Sequence, residues 1–398
     1  MPLRKLTNLD LECMEYDAVS TITLVSGWDS NSNNTLKFQC AVSTVMKLNP
    51  VLTGKLVKSS SGVQVETGVF DVSDVFQVIQ FPPKKSFAVP VSVAEKLKLL
   101  QELALEFNPK IKTGTTLLKS KSNIFEVGLM VLPSGCTCYK VSISHAVADA
   151  STHYNVMQQL SDIWNGREPS ILLDWTPIPE IYPCQRPLSD LSVSDKARLF
   201  VSIFCLLFHN WLERQRKGKR TMKCALVNSD ICFKEKSEAN DGTCKFLSTN
   251  DVVTAALSSV SKAKTLVMAA DLRKRQGQHS KLNQCTAGNY IKGIFIMDGG
   301  SNPCTIRKEV LRRQTWCDKP KHGLLQMHLR SFCLVKNWAS FMTCIVGRGL
   351  EVVAHMPLIA CEEVPHDAAV IFKLDMSGTL AVWHNMSSTV LDKPIFSP

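Results

Sequence analysis

The sequence predicts an α/β protein built from two domains with a cleft between them. The chain has 398 residues, which is too long for one ordinary hydrophobic core and suggests two domains of roughly 200 residues each. Stretches with helical periodicity are followed by strand-like stretches in both halves. Five prolines lie between residues 169 and 187, a composition that suits neither a helix nor a central strand. We therefore assign residues 1–175 and 223–398 to the two domains, and residues 176–222 to a linker that crosses between them.

The first half alternates between the two periodic patterns. Alternating or β-branched residues predict strands, and apolar residues at helical spacing predict helices. Residues 49–56 interrupt the first helix and begin a hairpin, whose turn is expected at 59–62. The predicted strands are 20–25, 64–72, 124–132 and 139–144, and the predicted helices are 35–47 and a segment from Asp149 to about Gly166.

The second half repeats the succession of helix and strand without a literal sequence repeat. Residues 248–251 combine serine, threonine, asparagine and aspartate ahead of an apolar helical pattern, which is typical of a capped helix. The predicted helices are 197–212 and 252–260, and the predicted strands are 225–233 and 265–270.

The charge balance calls for an anionic partner or surface. Lysine and arginine number 46 against 35 acidic residues, which gives a formal net charge of +11. The densest basic run, 214–220, follows an apolar run at 199–208 that is about half the length needed to span a bilayer. A helix touching a membrane surface is one interpretation of residues 199–220. A core helix followed by a solvated loop is the other. No nucleic-acid-binding motif accompanies the charge, so we do not expect nucleic acid as a partner.

The cysteines indicate a reducing compartment. There are 15 of them, an odd number, and they are scattered singly apart from Cys136 and Cys138. No pair or Cys/His cluster has zinc spacing, so reduced thiols and no metal site are expected. The N-terminal residues lack the apolar run of a secretory signal, and a cytoplasmic location is therefore expected.

The most informative motif is His145-Ala146-Val147-Ala148-Asp149, which lies where a strand pattern changes into a helix pattern. A neutral imidazole held at such a junction can accept a proton from a hydroxyl or an amine. Asp149 occupies the position where an N-cap carboxylate is favoured. Two interpretations remain open from these residues alone: an acyl-transfer base with its carboxylate, or a core histidine followed by a helix cap.

Several segments spread over the chain resemble the BAHD-type acyl-CoA-dependent acyltransferases, whose superfamily includes chloramphenicol acetyltransferase and peptide-synthetase condensation domains. Order and spacing agree from one end of the chain to the other. The segments are Leu48-Asn49-Pro50-Val51-Leu52-Thr53-Gly54-Lys55-Leu56, the His-x-x-x-Asp motif from His145 to Asp149, the run that begins at Ser248-Thr249-Asn250-Asp251, Asp271-Leu272-Arg273, and Ala287-Gly288-Asn289-Tyr290.

The resemblance implies two chloramphenicol acetyltransferase-like domains, each a mixed β-sheet with flanking helices, and a channel between them. It implies a monomer that transfers an acyl group from acyl-CoA, a co-substrate rather than a permanently bound cofactor, to a small alcohol or amine. In this chemistry His145, with a pKa near its reference value of about 6.5, is the general base and no acyl-enzyme forms.

Further residues take roles by the same resemblance. Asp149 holds the motif loop, with Arg273 as its partner, and Asn289 orients the channel wall. Trp338 is a candidate for the oxyanion or acyl site, although a core tryptophan is the alternative interpretation. Ser248 and Thr249 are candidates for binding coenzyme A, although capping a helix is the commoner role of such residues.

The sequence also departs from the family pattern, which implies a divergent branch. Ala150 stands where the family usually has glycine. The Asp-Phe-Gly-Trp-Gly signature is reduced to residues 345–349, in which only the glycines Gly347 and Gly349 survive. A second function class therefore stays open: a protein of the same fold that binds acyl-CoA or a partner without turnover, with or without membrane contact.

Overall fold

The structure is a computed structural model of the chain. It describes residues 3–7, 10–11, 13–28, 33–60, 62–81, 87–90, 92–107, 113–133, 135–178, 222–239, 244, 246–273, 282–297, 300–312, 332–341, 347, 349–358, 367–386 and 390–397.

The described elements of the first half are short helices and strands in alternation. The strands are β1 (Leu3–Lys5), β2 (Val19–Ser26), β3 (Lys55–Ser59), β4 (Gly62–Glu66), β5 (Phe76–Gln80), β6 (Phe125–Val131) and β7 (Cys136–Ile143). The helices are α1 (Asn34–Leu48), α2 (Val93–Glu106), α3 (Gly114–Ser120) and α4 (Ala150–Trp164).

The described part of the second half also consists of helices and strands. The strands are β8 (Lys223–Val227), β9 (Thr265–Asp271), β10 (Ile291–Met297), β11 (Phe332–Asn337), β12 (Glu351–Leu358), β13 (Asp367–Lys373), β14 (Leu380–His384) and β15 (Phe396–Ser397). The helices are α5 (Ser229–Glu238), α6 (Thr249–Ser261) and α7 (Pro303–Arg312).

Two mixed sheets form the frame. Within the described residues, the first sheet has the strand order β12-β2-β7-β6-β5, in which only β5 and β6 pair in parallel. The second has the order β10-β9-β11-β13-β14-β8-β15, with parallel pairs between β11 and its neighbours β9 and β13. A small antiparallel sheet, β1-β4-β3, also belongs to the first half.

Strand β12 belongs to the second half by sequence but pairs antiparallel with β2 in the sheet of the first half, with His355 opposite Thr23. Its apolar side chains join those of β2, α2 and β13 in one buried cluster, which includes Ile22, Leu100, Met356 and Phe372. The two halves thus share part of their core. The boundaries 1–175 and 223–398 stay a prediction. Residues 179–221 of the predicted linker lie outside the described residues, and they include the predicted helix 197–212, the apolar run 199–208 and the basic run 214–220.

Most predicted elements of the first half are observed close to their expected bounds. Helix α1 ends at Leu48, and Pro50–Thr53 forms a 3₁₀ turn before β3 begins. The strand predicted at 64–72 ends earlier, at Glu66. Ala150 is the first residue of α4 and has no positive φ, so this turn does not require glycine.

The prediction of a strand over 225–233 is wrong in its second part. Strand β8 ends at Val227, and the Asn228 side chain then accepts hydrogen bonds from the backbone N–H groups of Asp230 and Ile231. This cap begins helix α5, because it satisfies N–H groups that have no partner within the helix. The apolar residues in this segment therefore continue as a helix.

The ten described cysteines are all free, and seven of them are buried. None of the described helices is both long enough and apolar enough to cross a bilayer.

Candidate active site

His145 lies two residues beyond the end of β7 and only two residues into the turn that leads to α4. The Ser144 N–H donates to the carbonyl of Ile124, and Val147 N–H donates back to Ser144. These bonds close the turn and hold the histidine at the strand end. The residue is only 6% exposed, so the imidazole is almost entirely enclosed.

Asn289 determines the tautomer of His145. Its Oδ1 lies 3.1 Å from Nδ1 of His145, while its Nδ2 donates to the His145 carbonyl at 2.7 Å and to Oδ1 of Asp10 at 2.9 Å. Because both amide hydrogens go to oxygen acceptors, Oδ1 must face the imidazole and accept a hydrogen bond from its Nδ1–H group. The network therefore assigns the proton to Nδ1 and the lone pair to Nε2. No described group forms a hydrogen bond with Nε2.

Asp10 is a site residue that sequence analysis missed. It is fully buried, and its second oxygen accepts from the Thr7 N–H at 2.9 Å and from Arg4 at 3.3 Å. Arg4, the Thr7 N–H and the Asn289 amide together satisfy the oxygens of this buried carboxylate. Asp10 thus ties Asn289 to the N-terminal segment. No local pattern marks this role, since Asp10 is 279 residues from its partner Asn289.

The pKa of His145 is lowered to about 4. Burial is the main cause, because it disfavours the charged imidazolium, and the positive charge of Lys336 acts in the same direction. The expectation of a value near the reference pKa is therefore corrected. At neutral pH the imidazole is uncharged and its Nε2 is free to accept a proton, but it is a weaker base than a solvent-exposed histidine.

Asp149 and Arg273 form a buried ion pair that joins the two halves of the chain. The arginine makes two bonds to the carboxylate, at 2.8 Å and 3.2 Å, and the two side chains are at most 1% exposed. Asp149 also caps α4 through the Thr152 N–H and accepts from the Tyr290 N–H, each at 2.9 Å. Burial raises the pKa of Asp149, but the charge of Arg273 and these hydrogen bonds outweigh burial and bring it below its usual value.

Arg273 has no donor directed toward His145. Its remaining bonds go to Asp271, to Thr152 and to the carbonyls of Thr286 and Gly288. The two carbonyls belong to the segment that carries Asn289, Thr152 lies in α4, and Asp271 is the last residue of β9. The pair therefore fixes the positions of the motif helix and the 286–290 segment relative to each other.

Trp338 follows β11 and is buried, at 6% exposure. Its ring lies edge-on to that of Tyr154 at 6.1 Å, and its N–H and carbonyl take part in backbone bonds with Ile371 and Phe341. Within the described residues, no hydrogen bond or ring contact between Trp338 and His145 is observed. Its assignment to an oxyanion or acyl site stays a prediction.

Ser248 and Thr249 lie at the N-terminus of α6, beside a cavity of about 400 Å³. Ser248 caps the helix in a capping box with Asp251, whose carboxylate also binds Arg307. The hydroxyl of Ser248 is therefore already engaged. The cavity is also lined by two lysines, by an exposed aromatic ring and by the residues that flank Trp338: Lys236, Lys373, Phe246, Asn337 and Ala339.

Metal-binding clusters are not observed in the described part of the chain, where no three histidine, cysteine or acidic side chains come together in a suitable arrangement. The expected absence of a metal stays a prediction.

Comparisons with known proteins identify the fold. No protein-family model and no curated protein matches the sequence. Solved structures do match over nearly the whole chain. TRI101 of F. graminearum in complex with coenzyme A and deoxynivalenol is 13% identical, with a TM-score of 0.66, 98% of this chain and 96% of that chain covered. Vinorine synthase is 13% identical, with a TM-score of 0.62 and coverage of 98% and 92%. The condensation domain of the Monacolin K polyketide synthase MokA is 11% identical, with a TM-score of 0.55 and coverage of 98% and 93%.

The chain has the two-domain chloramphenicol acetyltransferase-like fold. This confirms the predicted fold class, in which each domain contains a mixed sheet with flanking helices. Within the fold, His145, Asp149, Arg273 and Asn289 lie in one connected network, whereas Ser248 and Thr249 line a separate cavity. Lys336 and Tyr16 are further neighbours of the network that sequence analysis missed: the rings of Tyr16 and His145 lie 5.7 Å apart, and Lys336 Nζ lies 5.9 Å from the Tyr16 ring centroid.

Proposed function

We propose that the protein is an acyltransferase that moves an acyl group from acyl-CoA to an alcohol or amine, with His145 as the general base. Nε2 takes the proton from the acceptor as its oxygen or nitrogen attacks the thioester carbon. The new C–O or C–N bond gives a tetrahedral oxyanion. When the oxyanion collapses, the C–S bond breaks and the proton passes from His145 to the thiolate of coenzyme A. No acyl-enzyme is required.

The observation that carries this proposal is the tautomer of His145. With Nδ1 donating to Asn289, the unprotonated Nε2 is the atom left to accept a proton. The lowered pKa of about 4 keeps the ring neutral at pH 7. A neutral imidazole with a fixed orientation is ready to accept a proton without first losing one.

The other predicted residues take supporting roles in this proposal. Asp149 and Arg273 hold the motif loop and the 286–290 segment, and they do not touch the reacting atoms. Trp338 lies near the acyl group, and its indole N–H can donate only.

The cavity beside Thr249 supports the donor side. Lys236 and Lys373 supply positive charge to it, which suits the phosphates of coenzyme A. TRI101 has been crystallised with coenzyme A in the same fold. The donor thioester then reaches His145 through a channel between the domains.

We further propose that the chain is a divergent BAHD-type member, monomeric and cytoplasmic, with no permanently bound cofactor and no metal. The motif segments in their family order and the neighbours TRI101 and vinorine synthase support this placement. Membrane contact by residues 199–220 stays an open alternative.

Thiol release tests the function directly. The protein is incubated with a panel of acyl-CoA donors and a broad set of alcohols and amines, and free coenzyme A is measured with a thiol reagent. His145→Ala should lower kcat by about 10²- to 10⁴-fold, as expected for loss of a positioned base. Added imidazole should restore part of the lost rate in His145→Ala and should leave the rate of wild type unchanged.

Thermal unfolding of both proteins serves as the folding control. Equal rates in wild type and a folded His145→Ala would contradict the role of His145. No release above background with any donor and acceptor would favour the alternative, a protein of this fold that binds acyl-CoA or a partner without turnover.

A further inference from the structure

Lys336 places an ammonium group beside the candidate base. It lies on β11, two residues before Trp338, and its Nζ is 5.9 Å from the centroid of the Tyr16 ring. The same ring lies 5.7 Å from the ring of His145, so the three side chains form one cluster. Tyr16 is 56% exposed, which means that this cluster opens to solvent on one side.

The ammonium of Lys336 lacks a carboxylate partner within the described part of the chain. No described aspartate or glutamate lies within ion-pair distance of it, and its described contact is with the aromatic face. An ammonium carries three donors and no acceptor. Because Lys336 is partly buried, an acceptor that takes these donors would stabilise it in this position.

The positive charge of Lys336 makes His145 a weaker base. Lys336 lowers the pKa of His145, because a nearby cation disfavours the imidazolium. A general base works best when its pKa lies near the working pH. An anion bound to Lys336 would neutralise this charge and make His145 more basic at the moment when the acceptor is in place.

We propose that Lys336 recognises an anionic group of the acceptor, so that the natural acceptors are alcohols or amines carrying a carboxylate or a phosphate. This inference rests on the proposed acyl transfer. The anion binds the ammonium near the Tyr16 ring, and the hydroxyl or amine of the same molecule faces Nε2 of His145. Lys336 is thus a specificity-determining residue that acts on the base through the bound substrate.

Matched acceptors test this proposal. Each alcohol or amine is supplied as a carboxylic acid, as its methyl ester and as a phosphate analogue, beginning with 4-(hydroxymethyl)benzoate, its methyl ester and 4-(hydroxymethyl)phenyl phosphate. Wild type should prefer the anionic forms. Lys336→Met should lower kcat/KM for the preferred anion on the order of 10- to 100-fold, the range expected for a hydrogen bond to a charged group. The methyl ester should change by less than about threefold.

Two variants serve as controls. Lys336→Arg keeps the charge and should retain the preference for anions. Lys264→Met also removes one lysine, at an exposed position directly before β9 in the same sheet, and it should leave the preference unchanged. Thermal unfolding of each variant establishes that it is folded.

The donor must be excluded as the source of the anion. The comparison is therefore repeated with acetyl and malonyl thioesters of N-acetylcysteamine, which lack the phosphates of coenzyme A. An effect of Lys336→Met that persists with the acetyl thioester locates the anion on the acceptor. An effect confined to coenzyme A or to malonyl donors overturns the proposal.

Two readouts separate this inference from the proposed function. In wild type, the carboxylic acids should raise the melting temperature more than their esters do, and Lys336→Met should abolish that difference. The acidic limb of the kcat/KM profile with a neutral acceptor should move to higher pH in Lys336→Met. The other groups around His145, namely Asp149 with Arg273, Asn289 with Asp10, and Tyr16, are unchanged by the variant.

Equal effects on acids and esters, or stabilisation by neither form, overturn the acceptor proposal while His145-dependent thiol release leaves the proposed function intact. Loss of thiol release in all conditions counts against the proposed function instead.

Discussion

The side-chain amide of Asn289 determines which nitrogen of His145 carries the proton. Its Oδ1 is the side-chain atom that faces Nδ1, so the orientation of the ring and its tautomer both depend on this amide. Asn289→Ala should therefore lower kcat well below that of wild type while leaving the binding of coenzyme A intact. Nitrogen NMR of labelled histidine should show the Nε2-protonated form gaining population, a change that loss of packing alone does not produce.

A matched control is available in Asn155, whose side-chain amide also bridges α4 to the segment before β10, donating to the Gln284 carbonyl at 2.9 Å. Asn155→Ala removes a similar bridge away from His145 and should leave kcat unchanged. A normal kcat in Asn289→Ala would contradict the tautomer argument.

At the residue scale the sequence predicted His145 and Asp149 as candidates, because a strand pattern meets a helix pattern at that point and the motif resembles that of a known family. It could not identify Asp10 or Lys336. Their partners lie far away in the chain, and an isolated aspartate or lysine carries no local signal. The sequence also could not predict the lowered pKa of His145, because distant segments of the chain bury the ring and bring Lys336 close to it.

At the scale of elements, helix caps determine where the predicted and observed bounds agree and where they differ. Helix α6 begins at the residues that were expected to cap it. Asn228, in contrast, caps helix α5 within a segment that was predicted to be a strand. The insertion of β12 beside β2 cannot be read from spacing. Gly349, a surviving glycine of the degenerate signature, has a φ of +81°, which favours glycine. Its carbonyl oxygen in turn restricts Gly27, where a Cβ would lie 2.6 Å from it.

The ion pair between Asp149 and Arg273 attaches the N-terminus of α4 to the end of β9. Arg273→Met leaves the Asp149 carboxylate buried without its charged partner, and we expect it to lower the free energy of unfolding by about 3–5 kcal/mol. Urea denaturation measures this loss. Arg312→Met breaks an exposed pair with Glu309 and should cost less than about 1 kcal/mol. Similar small losses in both variants would show that the buried pair does not hold the two halves together.

At the scale of the whole molecule, the fold buries histidines in the neutral form. The pKa of His145 and of His384 is lowered to about 4, and that of His153 and of His355 to about 3, in every case chiefly by burial. His153 and His355 belong to a polar cluster inside the shared core: His355 bonds Thr23 and Tyr154, and His153 bonds Thr21. Protonation of these histidines at acidic pH therefore weakens the contacts that join β12 to β2 and α4.

These shifts predict a loss of stability on mild acidification. Between the unfolded pKa of 6.5 and the folded values near 3 to 4, the unfolded chain binds protons that the folded chain does not. The free energy of unfolding should be insensitive to these groups above pH 7 and should fall below pH 6.5, by on the order of 1 kcal/mol per pH unit for each such histidine. The carboxylates Asp149, Asp162 and Asp375 contribute only at lower pH, because their pKa values lie below the usual value of 3.8.

Urea denaturation at pH 8, 7, 6 and 5 measures how the free energy of unfolding depends on pH. A constant free energy of unfolding from pH 7 to pH 5 would contradict burial of the histidine rings in the neutral form.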